Sequence, residues 1–247
     1  MIKNIEGVNK YNINIKEVLP KNFDEIVIAC HGFGGDKESS AIELLSNELY
    51  KENKGVISFD FPGHGESEVD GAFFTIDNCI SDLEQVEKYI KEKYGDIKIS
   101  IFATSFGAYI SLLKIIRNDE NYNKIILRAP AIKMDEVFKD YLLQEDLQTF
   151  LDRGYTTLGF ERKITIYSNF YKDLLNNKIV DLYNKKREIL IIQGDNDNVA
   201  PIKHTIEFVE KNKEFVKLKI LEGADHRMKK PGELDKVIRW SKNYLKY

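Results

Sequence analysis

Ser105 sits in the run Ala103-Thr104-Ser105-Phe106-Gly107, between an apolar stretch beginning near Ile99 and another that continues to Leu113. Taken alone it reads as a helix N-cap following a strand. A serine hydroxyl becomes a nucleophile only with a base in hydrogen-bond reach and an acid that orients the base. Both residue types follow it in the chain. Asp195 and Asp197 fall in "GDNDNVAP" (194–201), and His226 falls in "EGADHRM" (222–228). His226 would take the Ser105 proton and return it to a leaving group, while a carboxylate on the other ring nitrogen fixes the tautomer. Either aspartate could supply that carboxylate or cap the helix expected from about Pro201; chain geometry favours Asp197, which lies further out from the strand. Asp225 points elsewhere and braces its own loop, and His204 reads as a surface residue of the helix after Pro201.

A nucleophile of this kind also needs donors for the oxyanion it creates. "CHGFGG" (30–35) supplies glycines that let main chain pass close to a bound oxygen, and the N–H of Phe33 pairs with that of Phe106 as the expected hole. The same loop lacks the Gly-Lys-Ser/Thr of a phosphate-binding turn and the spacing of a dinucleotide loop. His31 and His64 read as structural partners of these tight turns.

The elements that must position these residues alternate along the chain. Short β-rich runs at 25–30, 56–60, 98–103, 124–129, 188–193 and 217–221 are separated by longer amphipathic segments, the pattern of a mostly parallel α/β sheet with helices on both faces. Ile76, Ile80, Leu83, Val86 and Ile90 recur at helical spacing after a candidate cap at Thr75 or Asp77, and a last helix is expected from about Glu233 to Leu245. Most strands end next to Gly, Asp, Pro or Ser, and ligands in such sheets bind beyond those carboxyl ends. The elbow itself demands small residues two before and two after the serine, which Ala103 and Gly107 satisfy. Residues 133–186 break the alternation: aromatic and leucine positions, among them Phe138, Phe150, Phe160, Phe170 and Tyr171, stand among charges with no convincing buried strand. This segment is expected to form helices of its own, a cap inserted between core parts 1–132 and 187–247.

The 247 residues carry 37 basic against 40 acidic side chains, a balance that gives no basic excess for nucleic acid or anionic lipid. The mixed polar N-terminus lacks the apolar core of an export signal, so a cytoplasmic location is expected, and the apolar segment 97–116 is too interrupted by Lys, Ser and Thr for stable membrane insertion. Cys30 and Cys79 read as small buried hydrophobes, and no metal-ligand spacing occurs.

The blocks "HGFGG", "FDFPGHGES" (59–67), "ATSFG", "GDNDNVAP" and "GADH" together resemble the successive motifs of the α/β-hydrolase superfamily, from about Asp24 to the C-terminus. Within it the chain looks most like small bacterial esterases related to cinnamoyl (feruloyl) esterases and to monoacylglycerol lipases. The resemblance implies a nucleophile at Ser105, an acid at Asp197, a base at His226, oxyanion donors at Phe33 and Phe106, and a supporting, non-catalytic turn at 60–67. It departs from those relatives in Ala103 and Thr104, where they read Gly-His before the serine, and in the bulk of Phe106. The function expected is hydrolysis of a small-molecule carboxylic ester through an acyl-enzyme, with no cofactor or metal, the aromatic cap suiting an aromatic or medium-chain acyl group. The alternatives are thioesterase, acyltransferase or peptidase chemistry with the same three residues, or a non-catalytic member that binds a small ligand. No oligomeric state follows from these residues.

Overall fold

The structure, a computed structural model, describes residues 1–118, 122–159 and 162–246, so Phe160 lies outside the described residues. Its strands are β1 (Ile2–Glu6), β2 (Asn12–Val18), β3 (Glu25–Cys30), β4 (Gly55–Phe59), β5 (Lys98–Thr104), β6 (Ile125–Arg128), β7 (Tyr155–Leu158), β8 (Ile164–Tyr167), β9 (Ile189–Gly194) and β10 (Val216–Leu221). Eight of them form one sheet in the order β1-β2-β4-β3-β5-β6-β9-β10. From β4 to β10 every neighbour is parallel, and β1 and β2 extend one side as antiparallel strands. The six expected runs are the six parallel strands. β1 and β2 are additions to that expectation, although β2 alternates in "NINIKEV" with Ile13 and Ile15 buried.

Helices cover both faces, because the central strands are apolar on both sides. On one face α2 (Ile76–Tyr94) and α3 (Phe106–Asn118) pack over Ile28, Ile101 and Leu127. On the other, α1 (Ser40–Tyr50) and α9 (Glu233–Lys246) cover Val27, Phe102, Ile126 and Ile192. Thr75 caps α2 by accepting from the Asn78 N–H at 3.1 Å, so of the two candidate caps the threonine takes the position. Cys30 and Cys79 are free and buried. Among the described residues no helix is long and apolar enough to cross a membrane.

The segment from 133 to 186 corrects an expectation. It contains helices, α4 (Met134–Val137, continued by a π-helical turn to Leu142), α5 (Leu147–Arg153), α6 (Ser168–Asn176) and α7 (Ile179–Leu182), but also the antiparallel hairpin β7–β8. Thr156 and Leu158 face inward from one strand and Ile164 and Ile166 from the other, a period of two too short to stand out beside the helical stretches. The hairpin is held tightly. Arg162 Nη1 donates to the carbonyls of Gly65 (2.9 Å) and Ser67 (2.7 Å) and Nη2 to that of Val69 (2.9 Å), while a side chain at Gly71 would collide with the Thr165 carbonyl. In Arg162→Ala these carbonyls lose a shared charged donor, and the protein is expected to lose about 1–3 kcal/mol. Limited proteolysis should then cut first within 155–167.

Under the N-terminal hairpin, α2 carries a buried carboxyl. The Tyr11 hydroxyl donates to Asp82 Oδ1 at 2.8 Å, Oδ2 has no partner, and burial pushes the Asp82 pKa up to about 7 despite that hydrogen bond. A carboxyl whose pKa is higher folded than unfolded favours the folded state most at low pH; its contribution falls as pH rises from about 4 and is lost above about 7. Asp82→Asn, which keeps an acceptor for Tyr11, should therefore raise stability at pH 8 by about 1–2 kcal/mol and change little at pH 4, measured by urea denaturation at the two values.

Candidate active site

The sheet reverses its winding between β3 and β5: the chain runs from β3 outward to β4, then returns to place β5 on β3's other side. Loops leaving two such strands diverge and leave a crevice at their carboxyl ends. Residues 31–38 leave β3 there, and Ser105 leaves β5.

Ser105 occupies the left-handed region at φ 51°, a conformation that costs a non-glycine residue about 1–3 kcal/mol. The turn is fixed by main-chain bonds. Ser105 N donates to the Arg128 carbonyl at 3.0 Å, and the Ser105 carbonyl accepts from Tyr109 and Ala131, each at 3.2 Å. Its Oγ lies 3.0 Å from His226 Nε2. The other ring nitrogen, Nδ1, lies 2.8 Å from Asp197 Oδ2. With Nδ1 donating to the carboxylate, Nε2 is left to accept from the serine.

The two aspartates have separate tasks. Asp197, its side chain fully buried, accepts at Oδ1 from the Val199 (3.0 Å) and Ala200 (2.8 Å) N–H groups, and Gln193 Nε2 donates to its Oδ2 at 3.3 Å. Gln193, at the end of β9, is itself held by a bond from Thr205 Oγ1 (2.5 Å). Asp195 instead accepts from the Gly223 N–H at 2.6 Å, bracing the loop that carries His226. Asp225 accepts from the Arg227 (2.9 Å) and Met228 (2.7 Å) N–H groups of its own loop. Gln193 had no signal in the sequence beyond its place at a strand end.

His204 is not a surface residue. It is 5% exposed, with Nε2 3.1 Å from Glu136 Oε2 on α4, and burial lowers its pKa against the pull of that carboxylate. On α8 (Ile202–Lys211) His204, Thr205 and Phe208 share the inward face, so the helical phase placed it inside. His31 and His64 are also buried, and desolvation keeps both neutral, His64 at about 3. His31 Nδ1 donates to the Gly32 carbonyl at 2.8 Å, and its Nε2 accepts from the Phe61 N–H at 3.0 Å. Asp60 ties the same two loops together, accepting from Lys37 N and Nζ (both 2.8 Å) and from Glu66 N (3.0 Å). The turn 60–67 thus supports the loop 31–38 and lies outside the Ser105–His226–Asp197 chain of bonds.

Phe33 and Phe106 lie on the two segments that meet at the serine. A Cβ at Gly32 would stand 3.2 Å from Ser105 Cβ, so this loop crosses directly against the nucleophile turn. Phe106 is the first residue of α3, where main-chain N–H groups have no acceptor within the helix. Both phenyl rings turn inward to Phe74, with centroids 5.8 Å and 5.0 Å away, and Phe170 of α6 stacks on Phe74 at 4.8 Å. Phe74 is a site neighbour not anticipated from sequence, where "GAFFT" offers only two adjacent aromatics. A cleft of about 310 Å³ opens between the 31–38 loop and the β8 side of the hairpin, lined by Gly34, Gly35, His64, Arg162 and Ile164. Ser105 does not line it.

A mostly parallel eight-stranded sheet with this crossover order and a serine at such a turn defines an α/β-hydrolase fold. Residues 21–172 match the family described as serine aminopeptidase, S33, and the chain belongs to that family. It is similar to a monoglyceride lipase homolog of Monkeypox virus, 26% identical with 86% of this chain and 84% of the relative covered. A putative esterase/lipase 2 of Mycoplasma pneumoniae is 24% identical, with 81% of each chain covered. Among solved structures, ferulic acid-bound Est1E of Butyrivibrio proteoclasticus superposes with a TM-score of 0.86 at 19% identity, covering 99% of this chain and all of Est1E. The chain is accordingly an esterase/lipase-like member of the hydrolases.

Proposed function

We propose that the protein hydrolyses small-molecule carboxylic esters through an acyl-enzyme on Ser105. The observation that carries this reading is the unbroken chain of bonds from Ser105 Oγ through His226 to Asp197, at a strained turn on the carboxyl side of the sheet. Ser105 Oγ attacks the ester carbonyl while His226 Nε2 takes its proton. Asp197 holds the imidazole in the reactive tautomer and stabilises the imidazolium. The developing oxyanion is held by the N–H groups of Phe33 and Phe106, each worth about 3 kcal/mol in the transition state. His226 then protonates the departing alcohol, and the same nitrogen activates a water that releases the acid and regenerates Ser105.

The segment 133–186 acts as the cap. Its Phe170 joins Phe74 and Phe106 in one buried aromatic cluster that anchors the cap beside the Ser105 turn, and the aromatic-rich cap suits an aromatic or medium-chain acyl group. The names borne by relatives, a lipase homolog, putative esterases and a structure with ferulic acid, agree with an ester as substrate.

The test is a substrate panel with a fluorophosphonate probe. Purified protein should turn over p-nitrophenyl butyrate, octanoate and methyl ferulate, should be labelled by the probe at Ser105, and should leave amino-acid p-nitroanilides essentially intact. Faster cleavage of the anilides than of the esters would transfer the proposal to peptidase chemistry. No turnover and no labelling would leave a ligand-binding role.

A further inference from the structure

Arg128 touches both halves of the site, and we propose that it is the positioning residue that sets the base loop against the nucleophile turn. The inference rests on the ester-hydrolase reading above. Arg128 ends β6, in register beside Thr104, and its carbonyl is the acceptor that fixes the Ser105 N–H. Its side chain crosses to the loop after β10. There Nη2 donates to the Arg227 carbonyl at 2.5 Å and approaches the His226 carbonyl at 3.4 Å. One residue therefore bonds to the nucleophile turn through its main chain and to the base loop through its guanidinium.

The surroundings leave Arg128 no other evident task. It is 5% exposed, and among the described residues no carboxylate lies within 4.0 Å of it. Its Nε is buried without a partner. Burial lowers its pKa to about 10, opposed by the field of Asp197 and Asp225, so the side chain stays a cation at neutral pH. A buried cation is costly unless something compensates it, and here the compensation comes from the carbonyls of the base loop and from two nearby carboxylates.

The loop needs such a hold. Met228 is in the left-handed region at φ 52°, so the chain turns sharply just after the base. Asp225 gathers the N–H groups of Arg227 and Met228, and Arg128 gathers the carbonyls of His226 and Arg227. With Arg128 gone, the carbonyls of His226 and Arg227 lose this shared donor, and the main chain that sets the 3.0 Å approach of His226 to Ser105 is held less firmly. Lysine cannot replace it fully, because both carbonyls are met by Nη2 at the tip of the side chain, one bond beyond the reach of a lysine ammonium. The loss falls on proton transfer, in kcat, and leaves substrate binding alone.

The experiment compares Arg128→Met and Arg128→Lys with the native protein, using Ser105→Ala and His226→Ala as references. We expect kcat on p-nitrophenyl butyrate to fall about 50-fold in Arg128→Met and about 5-fold in Arg128→Lys, with KM within about twofold in both. The far-downfield proton resonance of the His226–Asp197 hydrogen bond should vanish in Arg128→Met and broaden in Arg128→Lys, while the rest of the spectrum stays folded. Native kcat and a native resonance in either folded variant overturn the proposal, and Arg128→Lys decides the matter if the methionine variant does not fold. Activity surviving in Ser105→Ala and His226→Ala would defeat the ester-hydrolase reading. If those references are inactive and both Arg128 variants are native in rate, only this inference fails.

Discussion

In Ser105→Ala, kcat/KM for a p-nitrophenyl ester falls about 10⁴- to 10⁶-fold, while the melting temperature stays within a few degrees of the native value. The size follows from the way the three side chains act as a unit. Without Oγ no acyl-enzyme forms, and His226 has nothing to deprotonate; without His226, a serine hydroxyl 3.0 Å from an empty position is an ordinary alcohol. The losses should therefore not add: His226→Ala costs about as much as Ser105→Ala, and the double variant is no slower than either. Asp197→Asn should cost about 10⁴-fold, because an amide beside Nδ1 favours the wrong tautomer. Asp195→Asn, whose carboxylate accepts from the Gly223 N–H and does not bond His226, should cost less than about tenfold in rate. Additive losses, or a larger loss at Asp195 than at Asp197, would mean that the bonded chain is not the reacting one.

Why so much of this was legible lies in where the signals sit. The inner parallel strands β3, β4, β5, β6 and β9 are largely apolar runs because both their faces are covered, and the chain turns after each, so their ends and the order Ser, Asp, His could be read in one dimension. The outer strands escape that logic. β1 and β2 are half polar, with Asn and Lys between isoleucines, and such an edge hairpin looks like a polar N-terminus. The hairpin β7–β8 escaped because its strands have four residues each, and its stability comes from Arg162 and Gly71, whose partners lie about ninety residues away in the chain. His204 and Arg128 escaped for a related reason. A polar residue on an inward helical face, or at the end of a short strand, shows its role only when the element it meets is known, and Glu136 and the 226–227 carbonyls come from distant chain. Between Asp195 and Asp197 chain geometry favoured Asp197 without showing its partners; the main-chain bonds of 199 and 200 hold that carboxylate beside His226.

Gly107→Ala is expected to damage fold and rate together, by an argument that starts from the small residues around the serine. A Cβ at position 107 would lie 2.5 Å from the His31 carbonyl oxygen and 2.7 Å from that of Cys30, both main-chain atoms at the end of β3. That strand is paired on both sides, by β4 and β5, and cannot retreat. The start of α3 must move instead, carrying Ser105 and the Phe106 N–H with it. Overpacking a backbone contact in this way costs about 3 kcal/mol. A shift of about 1 Å in the donor and nucleophile lowers kcat by about 10²-fold in the molecules that remain folded. Gly95→Ala is the control: Gly95 has φ 72° and ψ −145°, a backbone region that favours glycine, but a methyl there would meet nothing within 4 Å, so the change should cost about 1–3 kcal/mol of stability and leave the rate unchanged. Ala103→Gly, which adds no atoms beneath the turn, should likewise keep native activity. If Gly107→Ala melts and turns over like the native protein, α3 does not press on the end of β3, and the tight elbow is not what holds Ser105 in reach of His226.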